Sequence, residues 1–550
     1  QKAFDKTVEN EDLKRAQAIF NRLIDARGDK SKARPVLKWE DEKSRGAYFL
    51  PGTNQIYLEA SAFKVCMSFQ GREDEALAYI LAHELIHYYK GHGWEAAFAS
   101  EFSGTEMAEQ VNESTRDEKQ QETESDLLGG FLAYTAGYNT LGIAEEFLNR
   151  LYDAYPKWPK EWERSDTQIR KYPTLSERIK IARNTQAELE DMIKIFETAN
   201  WMVALERYDV AQDLYNHILL KYNSRELFNN QGVVQCMAAI KIVGKPLIQY
   251  GYPLELDAEG RIRFSTRGSN DPKIIKAEQL LQQAIKNFKD ALQLDPDYLP
   301  GLLNLGCAYA LRGRIDAAED QELKEVYYDY ARVYAGDTKW RAVKENKSKL
   351  QGDALTLLGI VAAETGQGNA ADYFSRANGL NSLGAVNLKI FRDEDPAGNV
   401  QIDPKPDFPE KIEDLNLITF ARSPFADEGT MRAINAVKAE NSRQWGYNFK
   451  NKKLDHSIIL IDLANARSDY TYLHVTKPSY TGADAKTNKG IQLGDSRQDI
   501  LAAYKTPYRE VQLPNGYLIS YPNHNIVFWL NEDQQLEKWC VYRMEQPRSF

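Results

Sequence analysis

The segment His83-Glu84-Leu85-Ile86-His87 constrains this chain more than any other, because its residue types work together only on a helix. On an α-helix, positions i and i+4 lie one turn apart on one face, so both imidazoles can reach one metal ion. Glu84 is then placed to hold and deprotonate a water at that ion. The surrounding LAYILAHELIH is apolar enough to bury such a site. A helix is expected from about Arg72 up to Gly91 and Gly93, which stand where a C-terminal cap belongs. With seven histidines in 550 residues, a chance match to this pattern is rare.

A catalytic zinc takes three protein ligands and leaves one position open. The metzincin spacing HExxHxxGxxH would put glycine at 90 and histidine at 93, but those positions hold Lys90 and Gly93. His92 lies just past the expected helix end and reads as a flanking residue. Glu122 is the expected third ligand, with Glu124 as the other candidate. Glu122 and Asp126 are again i and i+4, so one carboxylate can bind the metal while Asp126 takes the free N–H of a ligand histidine. The acidic run around them, with Asp117 and Glu118, would otherwise be a solvated face. Gly129 and Gly130 follow at once, and a second helix carrying them, ending at Gly137, could approach the first closely.

The texture along the chain divides it into 1–185, 186–385 and 386–550. In the first part Ala47–Leu58, AYFLPGTNQIYL, reads as a short hairpin or an edge strand around Pro-Gly-Thr-Asn. In the second, ERYDVAQDLYNHIL, AIKNFKDALQLDPDYLPGLLNLGCAYALRG and DALTLLGIVAAETGQGNAADYFSRA repeat a helix-turn-helix theme. One helix is expected to end at Leu294, with Asp295-Pro296 turning into the next. Gly306, Ala318, Gly359 and Ala371 supply the small residues that close helix pairs need. This part resembles tetratricopeptide repeats, which implies an α-solenoid with a binding face, interrupted here by about 243–270. In the third part SIILIDLA, YTYLHVT, GYLISYP and NIVFWLN read as strands and SRQDILAAY as a helix, giving an α+β domain.

Composition excludes some function classes. No run approaches the roughly 18 apolar residues of a membrane span. A net charge of −10 argues against a general nucleic-acid surface. The four cysteines are too few and too scattered for a disulfide framework or a thiolate zinc site. Gly-x-x-x-x-Gly-Lys-[Ser/Thr] is absent, so no P-loop nucleotide site is implied. Gln1 is no initiator methionine, so a cleaved signal peptide or a trimmed chain is expected, with export the favoured reading.

HELIH, His92 five residues beyond the second ligand, and ETESDLLGGFLAYTAGY together resemble the gluzincin metallopeptidases of the HtpX and zinc prenyl-protein protease type. That family's pattern is HExxHxxxxH followed by Glu-x-x-[Ala/Ser]-Asp before a glycine-containing helix. GAYFLPGTNQIYLEASAF is similar to its extended segment, which implies an edge strand beside the cleft. Tyr172-Pro173-Thr-Leu-Ser-Glu177-Arg178 resembles a family His-Pro-x-x-x-x-Arg element, with tyrosine in place of the histidine. The resemblance implies a mainly α, multidomain chain. It would consist of a zincin-like α+β domain holding one zinc on His83, His87 and Glu122, then the repeats, then the α+β domain. Glu84 would be the base, and Tyr172 or Arg178 a donor to the oxyanion. The substrate would be an extended polypeptide, with protein partners held by the repeats. Soluble relatives joined to tetratricopeptide repeats are bacterial envelope proteins, so a periplasmic protease of protein quality control is implied. The rival reading is a scaffold or assembly factor whose peptidase is silent or gated.

Overall fold

The computed structural model describes residues 2–41, 46–92, 118–156, 175–244, 247–255, 272–315, 321–394 and 410, then 432–433, 443–448, 454–462, 469–476, 486–505, 509–513 and 516–545. Among these the chain is mainly helical, with fifteen helices and eleven short strands. It divides into two compact units, 1–196 and 197–550.

The first unit opens with helix α1 (Lys2–Arg27), followed by strands β1 (Val36–Glu40), β2 (Ala47–Phe49) and β3 (Gln55–Glu59). They form one sheet in the order β1-β3-β2, with β1 parallel and β2 antiparallel to β3. The Ala47–Leu58 segment is therefore a hairpin whose first strand is the sheet edge. Its turn follows from Leu50-Pro51-Gly52-Thr53, where the Thr53 N–H donates to the Leu50 carbonyl at 3.2 Å and Gly52 takes φ +79°. Proline followed by a left-handed glycine is the type II signature.

Helices α2 (Ala60–Met67), α3 (Glu73–Lys90), α4 (Glu118–Thr135), α5 (Ala144–Ala154) and α6 (Leu175–Ala204) complete the unit, and α6 runs on past residue 196. Helix α3 is buried almost all round, from Ala76 through His83 and again at Leu85 and Ile86. It is the central element of the unit, in contact with α1, α2, α4 and β2. Gly129 shows how close α4 comes, since a Cβ there would stand 3.0 Å from the His83 nitrogen and 3.1 Å from the Ala82 carbonyl carbon. A backbone cannot step aside like a side-chain tip, so only glycine fits.

The second unit carries helices α7 (Tyr208–Leu219), α8 (Arg225–Val243), α9 (Pro272–Leu294), α10 (Leu299–Ile315), α11 (Gln321–Lys344), α12 (Ser348–Thr365), α13 (Ala370–Asn378) and α14 (Ser382–Phe391). Each packs on the next, and α8, α10, α12 and α14 also touch in series, forming one layer. Asp295 makes the expected turn, its carboxylate accepting from the Asp297 N–H at 3.0 Å. Gly359 lies against the Phe374 ring, where a Cβ would be 2.5 Å away, and Gly306 against Leu357. Ala318 lies outside the described residues. In α13 the small buried residue is Ala370 rather than Ala371, because the buried face is Ala370, Phe374 and Ala377.

Part of the 243–270 interruption is itself structural. Residues 247–255 lie across the layer, held through their backbone. Asn387 accepts from the Gly251 N–H at 2.9 Å and donates to its carbonyl at 2.8 Å. Asn304 accepts from the Glu255 N–H at 2.7 Å and donates to the Glu255 carbonyl, while Arg314 donates to the Leu247 carbonyl at 2.7 Å.

The C-terminal strands β4 (Arg432–Ala433), β5 (Arg443–Asn448), β6 (Leu454–Asp462), β7 (Asp469–Thr476), β8 (Arg509–Leu513), β9 (Gly516–Tyr521), β10 (Ile526–Leu530) and β11 (Leu536–Glu545) form one sheet, ordered β4-β5-β6-β7-β11-β10-β9-β8. Its pairings are all antiparallel, so the strands from β8 to β11 form a meander. Helix α15 (Arg497–Tyr504), closed by a Ser496–Asp499 capping box, buries Ile500 and Tyr504 against Ile519 and Phe528. The expected strands and helix of this part are present, and β4, β5, β8 and β11 are additional. Lys538 on β11 donates to the Glu197 carboxylate of α6 at 2.7 Å, both side chains being buried, and Trp529 stacks edge-on against Trp201.

Candidate metal centre

Helix α3 presents His83 and His87 on the face turned to α4, as the i, i+4 spacing requires. Their Nε2 atoms are 3.0 Å apart. From α4, Glu122 brings Oε2 to 3.5 Å from His83 Nε2 and Oε1 to 3.6 Å from His87 Nε2. One ligand atom from each of the three residues lies within 4.8 Å of the others, a group that could hold one metal ion. Two nitrogens at about 2.05 Å from a tetrahedral zinc are about 3.3 Å apart, so these separations suit that geometry. Two histidines with one carboxylate also match the nitrogen and oxygen donors of catalytic zinc sites.

The far side of each imidazole is held as well. Asp126, one turn beyond Glu122, lies with Oδ1 2.8 Å from His83 Nδ1, and the Tyr79 hydroxyl donates to the same oxygen at 3.2 Å. A proton on Nδ1 leaves Nε2 with its lone pair facing the group. His92 does the corresponding work at His87, with the two Nδ1 atoms 3.1 Å apart. The cause is the end of α3. Gly91 takes φ +74°, its N–H bonds to the Tyr88 carbonyl at 3.2 Å, and the His92 N–H bonds to the His87 carbonyl at 3.0 Å. This is a Schellman cap, and it folds His92 back onto the residue five positions earlier.

Glu124 is not among the ligand atoms. Its oxygens face Lys90 Nζ at 2.6 Å and His92 Nε2 at 3.2 Å, so it secures His92 instead. His92, expected to flank the site and not to be a ligand, is likewise not among the ligand atoms, and it packs on the ligand candidate His87. Arg178, from the first turn of α6, pairs with the carboxylates of both Glu122 and Asp126. Its guanidinium is thereby committed to fixing these two residues. Tyr172 lies outside the described residues.

Glu84 points from the same turn of α3 to the sheet edge, where the Phe49 N–H of β2 donates to its Oε2 at 2.8 Å. Burial lifts this carboxyl to about 7, against the opposing pull of His83 and the Phe49 N–H. Burial works against charge on His83 too, but hydrogen bonds to Asp126 and Glu122 raise the imidazole to about 10. Burial and the positive His83 depress His87 to about 3. Glu122 stays ionised in spite of burial because Arg178 and His83 hold it well below the usual carboxylate range. The chain as a whole matches no family model and no curated protein.

Proposed function

We propose that this protein is a zinc-dependent endopeptidase, and the observation that carries the reading is the convergence of His83, His87 and Glu122 with Glu84 beside them. A zinc ion bound there would supply Lewis acidity, polarising the scissile carbonyl and acidifying the attacking water. The chain's residues do the rest. Glu84 accepts the proton of the attacking water and delivers it to the leaving amine. Asp126 and His92 fix the ring orientation of the two histidines, and Arg178 fixes Glu122 and Asp126. Strand β2, the sheet edge, ends at Phe49 next to Glu84, and an extended polypeptide pairing along that edge would bring its backbone past the base.

The further assignment of 1–185 as a zincin-like domain, of 186–385 as tetratricopeptide repeats that hold protein partners, and of an envelope quality-control role rests on the sequence resemblances. Alternate helices touching in series agree with a repeat arrangement. Among the described residues no helix is long and apolar enough to cross a membrane.

Glu84→Gln is the direct test of the mechanism. It keeps the side chain's size and its acceptor for the Phe49 N–H but removes the base. Zinc content should stay at the wild-type level while hydrolysis of unfolded protein substrates falls at least ~10²-fold, the usual share of a general base. A variant as active as wild type would exclude Glu84 as the base.

A further inference from the structure

Helix α11 carries much of the exposed large apolar surface among the described residues. Its buried face is Tyr328, Ala331, Ala335, Thr338 and Ala342. The opposite face bears Val326, Tyr330, Val333 and Trp340, with Val333 65% and Trp340 61% exposed, and Val343 beside them. Positions 326, 330, 333, 337 and 340 alternate in steps of four and three, the seam of a helix that pairs with another helix. Asp337 is the polar member of this seam, and Arg341 neutralises it at 2.9 Å. Gly336 sits on the flank of the stripe, and among the described residues nothing lies within 4 Å of its Cβ position. Glycine in mid-helix costs about 0.5–1 kcal/mol against alanine. Among the described residues no neighbour requires it.

We propose that α11 docks on α11 of a second copy of this chain, antiparallel, about a two-fold axis near Val333. Charge selects both the partner and its direction. The first half of the helix has Glu322, Glu325 and Asp329 against Lys324 and Arg332, and the second half has Lys339, Arg341 and Lys344 against Asp337. An antiparallel pair sets acidic half on basic half, with Glu322 level with Lys344 and Glu325 level with Arg341. Centred on Val333, the same alignment sets Val326 level with Trp340, and Tyr330 level with the open side of Gly336. It also brings Asp329 level with Asp337, but each already has an arginine partner, Arg332 and Arg341. A parallel pair would stack each half on its own charge. The five apolar side chains expose roughly 500 Å² per copy, so the pair buries about 1,000 Å² before the charged rim is added. That reaches the lower bound for a specific interface.

The test uses the full 550-residue chain. Light scattering at about 50 μM should give twice the 62.9 kDa chain mass, and Val333→Glu with Trp340→Glu should return it to one. Cysteine crosslinking reports the direction, since the four native cysteines are buried. Under mild oxidation Val333→Cys should crosslink to itself and Val326→Cys should not, whereas Val326→Cys mixed with Trp340→Cys should give a disulfide dimer. A wild type that stays monomeric to about 100 μM would overturn the proposal, as would a dimer untouched by the two glutamates. So would a Val326→Cys self-crosslink, which would mean a parallel pair.

Discussion

His92 and Asp126 stand behind the two candidate ligand histidines in the same way, each facing the ring nitrogen turned away from Glu122. His92 is in turn held by Glu124, which Lys90 pairs. Removing such an outer partner typically costs ~10–100-fold in metal affinity. His92→Ala is expected to weaken zinc binding within that range, measured by competition with a chromophoric chelator, with the far-ultraviolet circular dichroism unchanged. Undiminished affinity would remove His92 from the site's support. The grouping of His83, His87, Glu122 and Asp126 was legible in the sequence because two i, i+4 pairs leave little freedom once both helices form. The place of His92 was not read, although a signal existed. Glycine at the position after the helix end bonds the next N–H back to His87, so the residue following Gly91 had to fold onto that ligand.

Between elements, the site depends on how closely α4 approaches α3. Gly129→Ala would put a methyl group 3.0 Å from the His83 nitrogen, and its three nearest neighbours are all backbone atoms. The helices must then part, and overpacking of this kind costs ~1–3 kcal/mol. Urea unfolding should show a loss of that size, together with reduced zinc retention as Glu122 is drawn away from His83. Stability and zinc content equal to wild type would mean the approach is looser than described. The Gly129-Gly130 pair announced the close approach to α3 in the sequence, and Gly129 makes it, whereas Gly130 lies against Leu189 of α6. Residues 247–255 were legible only as an interruption, since their structure comes from Asn304, Arg314 and Asn387, which are distant in sequence. Strands β8 and β11 escaped for another reason. REVQL and LEKWCVYRME mix charged and apolar residues, and only their sheet neighbours decide which side is buried.

Across the molecule, the two units call for different measurements. In the second, Lys538 and Glu197 join β11 to the last turns of α6 by a buried ion pair, and the Lys538 ammonium also lies 4.4 Å above the Trp529 ring. Breaking a buried pair from one side leaves an uncompensated charge, at a cost of ~3–5 kcal/mol. Lys538→Met should therefore destabilise this unit by about that amount in chemical unfolding, and adding Glu197→Gln should restore much of it. A single substitution without effect would show that the pair is hydrated. The proposed zinc centre lies in the first unit, and the proposed function depends on it. The most direct measurement is zinc per chain by elemental analysis, on wild type and Glu122→Ala purified side by side. About one zinc per chain is expected in the wild type and a sharp loss in the variant. A wild type that takes up no zinc after reconstitution, or a variant that retains it fully, would contradict the proposed centre.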